Sequence, residues 1–246
     1  MKFQNGNALF LVLIAITLFG ALSYAVTQSF TSGSNNDQER TRLKATEIQE
    51  YAADMETAVQ RLIHVHGCKD TELSLANDSD GDGVWVDADD DYNNANSPAD
   101  GSCHIYHPNG GGMQAFSLDG LIDTSQSAEL YYNTILITGR LCVDEVGSGY
   151  NNCQNEPTSA GDLIMFFPYL KENICNALNK DALTSIPAEY NTFYFSGYEF
   201  MGLYDTASRI STTPSNDGYY SMCIEGAASS VPADGTYHYY HVILAR

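Results

Sequence analysis

The feature that most limits what this chain can become is an unbroken apolar run. Ala8-Leu9-Phe10-Leu11-Val12-Leu13-Ile14-Ala15-Ile16-Thr17-Leu18-Phe19-Gly20-Ala21-Leu22-Ser23-Tyr24-Ala25-Val26 follows Asn5-Gly6-Asn7 and carries no charge. About 20 apolar residues in a helix cover the ~30 Å hydrocarbon core of a bilayer, so the run predicts an exported or membrane-anchored protein. Only Lys2 and the amino terminus precede it with positive charge. Positive flanks stay cytoplasmic, so everything after Val26 is expected outside. Three fates are open to the segment. Ser23 and Ala25 are small residues at −3 and −1 of a cut after Ala25, as in a cleaved signal peptide. An uncleaved anchor is the second fate. A helix that first spans the membrane and later packs into a filament core is the third.

About 220 residues follow (246 minus 26), enough for one globular domain. The expected organisation is a leader and membrane or filament-core helix over 1–27, a polar Ser/Gly/Asn linker over 28–36, and an extracytoplasmic domain over 37–246. That domain opens with an amphipathic helix over 37–64. Leu43, Ile48, Met55, Val59 and Leu62 recur at spacings near three or four, with Tyr51, Ala52 and Ala58 on the same side. Asp37 reads as its N-cap and Gly67 as its stop. Residues 68–113 form an acidic, Gly/Asn-rich insertion with little apolar material of its own, expected to need a disulfide or a metal for order.

From about residue 130 the pattern becomes β-rich. Thr134–Thr138, Asp162–Phe167, Phe193–Phe195, Tyr219–Cys223 and Tyr237–Leu244 read as strands. Pro168 suits the first turn of a helix with Leu170, Ile174 and Leu178 on one face. The fold class is α+β: an apolar and an amphipathic helix packed on a C-terminal antiparallel sheet, with a disulfide- and calcium-ordered insertion.

The six cysteines are Cys68, Cys103, Cys142, Cys153, Cys175 and Cys223. In an exported chain an even count reads as up to three disulfides. Six cysteines allow 15 pairings, so connectivity is not derivable. Locality favours Cys142–Cys153. Cys68–Cys103 would staple the ends of the insertion, and Cys175–Cys223 would tie a helix to a late strand. No Cys-x-x-Cys spacing marks a zinc or thioredoxin-type site.

The strongest chemical motif is Asp78-Ser79-Asp80-Gly81-Asp82-Gly83. Asp at positions 1, 3 and 5 with Gly at 6 is the first half of an EF-hand-type loop, in which alternate residues of a tight turn aim carboxylates at one centre. Val84 supplies the position-7 carbonyl and Asp89 the position-12 carboxylate. Val84-Trp85-Val86 reads as a strand, so the nearer analogue is an isolated extracellular calcium loop. Calcium is therefore the expected cofactor, in a structural role.

The formal charge of −20 leaves no basic stripe for nucleic acid. No nucleophile elbow, His-Glu-x-x-His helix or phosphate loop is present, so no enzymatic activity is expected. His64, His66, His104 and His107 flank the Cys68–Cys103 pair and read as loop histidines rather than a metal site. The late tyrosines, including Tyr194, Tyr198, Tyr204, Tyr219, Tyr220, Tyr237, Tyr239 and Tyr240, read first as half-buried sheet residues.

A short polar leader ending in Gly, then a long apolar helix running into an amphipathic one, resembles the type IV pilin and pseudopilin superfamily. The stretch Gln4-Asn5-Gly6-Asn7-Ala8-Leu9-Phe10-Leu11-Val12-Leu13-Ile14 is most similar to the minor pseudopilins. The resemblance covers roughly the first 30 residues. It implies a leader-peptidase cut between Gly6 and Asn7, where the usual residue after the cut is Phe or Met. The position that carries Glu in major pilins is Leu11 here, which points to a minor or tip subunit. The implied protein is a subunit of a type IV pilus or type II secretion-like filament in a Gram-negative bacterium. Its partners are the inner membrane before assembly and other pilin-like subunits, or itself, afterwards. Its domain is periplasmic or at the cell surface. From a different class comes an exported or membrane-tethered, calcium-stabilised binding module for carbohydrate or protein.

Overall fold

The structure, a computed structural model, describes residues 6–30, 33–77, 92–147, 161–180, 186, 199–205, 208–210, 218–226 and 233–246. The chain divides into two compact units, Met1–Thr41 and Arg42–Arg246. The first contains helix α1 (Gly6–Phe30) and the opening turns of α2 (Gly33–His64). The second contains the rest of α2 and the globular fold.

Polar composition predicted a linker over 28–36, with Asp37 as a cap. The backbone is helical at both ends of that stretch, so α1 runs to Phe30, α2 starts at Gly33, and Asp37 lies inside α2. Ser, Asn and Gln disfavour a helix by only a few tenths of a kcal/mol each relative to Ala, and no proline enforces a break.

From Arg42 onward α2 buries Ala45, Ile48, Ala52, Met55, Val59 and Leu62, none more than 5% exposed. Their alternating three- and four-residue spacing keeps one narrow seam against the sheet. Burying Ile48, Met55, Val59 and Leu62 contributes about 6–12 kcal/mol before entropy is charged. Leu43, predicted for this stripe, is exposed; Ala45 takes its place in the seam. The helix stops as predicted near Gly67. That glycine has φ +75°, and the Cys68 N–H donates to the Leu62 carbonyl at 3.1 Å.

Among the described residues five strands form one sheet: β1 (Leu136–Val143), β2 (Asp162–Leu170), β3 (Ser208–Ile210), β4 (Ser221–Glu225) and β5 (Tyr237–Leu244). The spatial order is β3-β1-β2-β5-β4. The sheet is mixed, which corrects the antiparallel expectation: β1 pairs in parallel with β3, while β1–β2, β2–β5 and β4–β5 are antiparallel. Strand propensity reports only that a segment extends; direction is set by the path of the intervening chain.

The two central faces explain why β2 is buried at all nine positions. Leu163, Met165 and Phe167 face a core with α2, and Ile164 and Phe166 face a second core with Leu136, Leu141, Met222 and Val242. A strand covered on both faces loses its apolar–polar alternation.

Pro168 does not open a helix. It lies inside β2, and α3 (Glu172–Leu178) begins four residues later. The β2–β5 register shifts between Phe167 and Leu170, and Tyr169 takes φ +54°. Proline is tolerated in a sheet at such a bulge because no ladder donor is lost there. The Tyr169 N–H instead donates to Nδ1 of His238 on β5 at 3.3 Å. Within α3, Ile174, Cys175 and Leu178 are buried; Leu170, predicted for the same helix face, lies in β2 instead.

The structure forms Cys68–Cys103 and Cys175–Cys223, with Cα separations of 5.9 and 5.4 Å. Cys142 is also disulfide-bonded; Cys153 lies outside the described residues. The 68–113 region, expected to have too little apolar material for a core of its own, adds residues to the main one. Leu73, Leu75, Cys103 and Ile105 all join the core under α2.

Candidate functional site

Gly6 opens α1 and Asn7 lies in its first turn. Phe10, Leu11, Val12 and Leu13, one full turn, are each between 57% and 62% exposed. An apolar helix uncovered on every side differs from a core-facing amphipathic helix. The side chains described in α1 run from Phe10 to Tyr24. Among the described residues no helix is long and apolar enough to cross a membrane, whereas the apolar run in sequence extends from Ala8 to Val26.

The predicted calcium ligands Asp78, Asp80, Asp82, Val84 and Asp89 lie outside the described residues. Among those that are described, no group of three or more His, Cys, Asp or Glu side chains is arranged to hold a metal ion. His104 and His107 approach edge to face, with ring centroids 6.1 Å apart. His64 instead bonds to Gln60 one turn away, at 2.9 Å. Of the late tyrosines, Tyr239 and Tyr240 on β5 and Tyr204 outside the strands are buried, whereas Tyr220 is exposed. Tyr194 and Tyr198 are outside the described residues.

A different set of aromatic residues builds a cleft. Tyr51 on α2, Tyr92, Tyr106 and Phe116 line a cavity of about 350 Å³ that also meets Asn77, Asn133 and Thr134. The rings of Tyr51 and Phe116 lie 4.8 Å apart at 33°, and Phe167 beneath them meets both edge-on. The Tyr51 and Tyr106 hydroxyls bond one another at 3.0 Å. Burial holds both phenols above their ordinary pKa, so both stay protonated. The Tyr92 hydroxyl donates to the Ile135 carbonyl at 3.0 Å and accepts from the Ile137 N–H at 3.3 Å.

Tyr92 and Thr134 also line a second cavity of about 500 Å³, together with Glu129, Tyr131, Tyr132 and Glu199. Tyr131 donates its hydroxyl to Glu199. Tyr92, Tyr131 and Asn133 all have φ between 61° and 68°. Left-handed backbone costs a residue with a Cβ about 1–2 kcal/mol, and such residues gather at functional sites. The walls of the first cavity come from five stretches of sequence, at residues 51, 75–77, 92, 106–116 and 133–137, so no local motif announced them.

The loop behind Tyr106 is held by close backbone approach. A Cβ on Gly110 or Gly111 would come within 2.2 Å of the His104 carbonyl oxygen or 2.1 Å of that of Ile105. Arg61 of α2 donates its guanidinium to the Gly111 carbonyl.

Two buried ionisable groups lie elsewhere in the sheet. Asp162 accepts from the Val143 N–H at 3.1 Å and the Arg246 N–H at 2.9 Å. Burial nevertheless raises its pKa to about 6, against the lowering effect of these bonds. His238 is fully buried, and burial lowers its pKa to about 3. Since Tyr169 N–H donates to Nδ1, the proton sits on Nε2, which meets Thr236 Oγ1 at 2.6 Å; Thr236 in turn donates to the Ala233 carbonyl at 2.5 Å.

Comparison with protein families, curated proteins and solved structures finds no match.

Proposed function

We propose that the chain is a non-enzymatic, pilin-like or minor pseudopilin-like subunit of a type IV pilus or type II secretion-like filament. The observation that carries this reading is α1, a helix of 25 residues whose described apolar side chains are uncovered through a full turn and beyond. Before assembly the helix resides in the inner membrane. In a filament it exchanges lipid contacts for contacts with the helices of other subunits, so its apolar surface is never left in water. The domain beyond it sits in the periplasm or at the cell surface, where the disulfides persist.

N-terminal sequencing of the mature protein from envelope fractions tests this reading. A start at Asn7 is expected. A start at Val26 would end the filament reading, and an intact Met1 would leave a tethered protein. The cleft favours a second reading, an exported or membrane-tethered, calcium-stabilised binding module for carbohydrate or protein.

Calcium binding by Asp78, Asp80, Asp82, Val84 and Asp89 belongs to either reading. Clustered carboxylates repel, and a divalent cation removes that repulsion. For extracellular-type dissociation constants of about 10⁻⁴–10⁻³ M, a calcium concentration of about 10 mM stabilises the fold by about 1.4–2.7 kcal/mol. The expected rise in Tm is about 3–10 °C. The triple variant Asp78→Asn, Asp80→Asn, Asp82→Asn is expected to lose that rise, as read by thermal melts with calcium and with chelator. An undiminished rise would place the ion elsewhere.

A further inference from the structure

We propose that the cleft walled by Tyr51, Tyr92, Tyr106 and Phe116 is a binding site for a neutral saccharide. The proposal does not depend on filament assembly. The hydroxyls of Tyr51, Tyr106 and Tyr92 bond within the protein, so what these residues offer a ligand is chiefly the carbon surface of their rings, Tyr51 being packed against Phe116. Ring faces take up the C–H faces of a sugar, the apolar part of an otherwise polar molecule. Beside them stand Asn77, Asn133 and Thr134. Among the described residues these three side chains have no hydrogen-bond partner. A carboxamide donates and accepts at once, as does a hydroxyl, which matches the dual character of sugar hydroxyls.

Charge selects the ligand further. Among the described residues no Lys or Arg lines either cavity, and the adjoining one carries Glu129 and Glu199. With a net charge of −20, the surface repels sulfated and uronic glycans. A purely apolar ligand would leave the two carboxamides unpaired. The cleft volume of about 350 Å³ falls in the usual ligand-site range of about 300–1,000 Å³.

The test uses the full chain in a detergent without a sugar headgroup. It is applied to an array of neutral hexose oligosaccharides printed beside sulfated and uronate-containing ones, and the strongest hit is then titrated by calorimetry. Binding confined to neutral oligosaccharides is expected, weakened roughly tenfold or more in Asn133→Gly and in Asn77→Ala. Asn133 is exposed, and glycine accepts its φ of 61°, so that variant keeps the backbone while removing the amide. An unchanged Tm separates loss of contact from loss of fold. No neutral binding at millimolar ligand, binding of acidic glycans only, or full binding by both variants would each overturn the proposal.

Discussion

Replacing Cys175 and Cys223 together by Ala is expected to remove about 4 kcal/mol of stability. The bridge closes a loop of 48 residues, and the chain-entropy relation gives about 4 kcal/mol for a loop of that length. The change isolates the covalent constraint, because a second link between the same elements survives it. Asn179, just past α3, donates through Nδ2 to the Cys223 carbonyl at 2.6 Å and accepts from the Cys223 N–H at 2.8 Å. Against a total of about 5–15 kcal/mol for a domain, the loss moves the protein close to its threshold. Urea unfolding of wild type and double variant in non-reducing buffer measures it. A loss below about 1 kcal/mol would mean that the denatured chain is already constrained, and would overturn the entropic account.

Acidification from pH 7 to pH 5 is expected to separate two single variants in opposite directions. His238 has a folded pKa near 3, below its unfolded value near 6.5. Its contribution is complete above pH 6.5 and is lost as pH falls toward 3. By pH 5 the loss is about 2 kcal/mol. Asp162 runs the other way. Its folded pKa is about 6, above an unfolded value near 3.9, so the folded state binds the proton more tightly. Stability therefore increases as pH falls from 6 toward 4, by about 1.4 kcal/mol at pH 5. In wild type the two effects nearly cancel. His238→Gln exposes the Asp162 effect and is expected to gain stability between pH 7 and pH 5. Asp162→Asn exposes the His238 effect and is expected to lose it. Urea midpoints at the two pH values decide the matter; parallel slopes in both variants would show that these groups do not govern the pH response.

The seam of α2 was legible because Ile48, Met55, Val59 and Leu62 keep helical spacing whatever lies opposite them. The limits of β5 were legible because Tyr237 to Leu244 is dense in aromatic and β-branched residues, which suit a pleat. Pro168 was misread because the sequence around it shows a missing donor and a fixed φ, which suit a helix start and a β-bulge equally. The partner that settles it, His238, is 70 residues away. The parallel β3 was invisible for a related reason: Ser208–Ile210 is too short to carry a pattern. The cleft was hidden most completely. Tyr51 looked like seam, Tyr106 like loop, and only the fold brings both to Phe116 and Asn133.

The order of strands also governs when the sheet can form. Among the described strands β5 comes last in sequence, yet it lies between β2 and β4, and β4 pairs with β5. A ribosome that has delivered everything up to Glu225 has made a strand whose neighbour does not yet exist. The sheet closes only after Leu244 has emerged. A chain halted anywhere before Tyr237 loses the middle of its sheet rather than its margin. Such a truncated product carries an orphaned, apolar β2 edge, the kind of surface that quality-control proteases and chaperones engage.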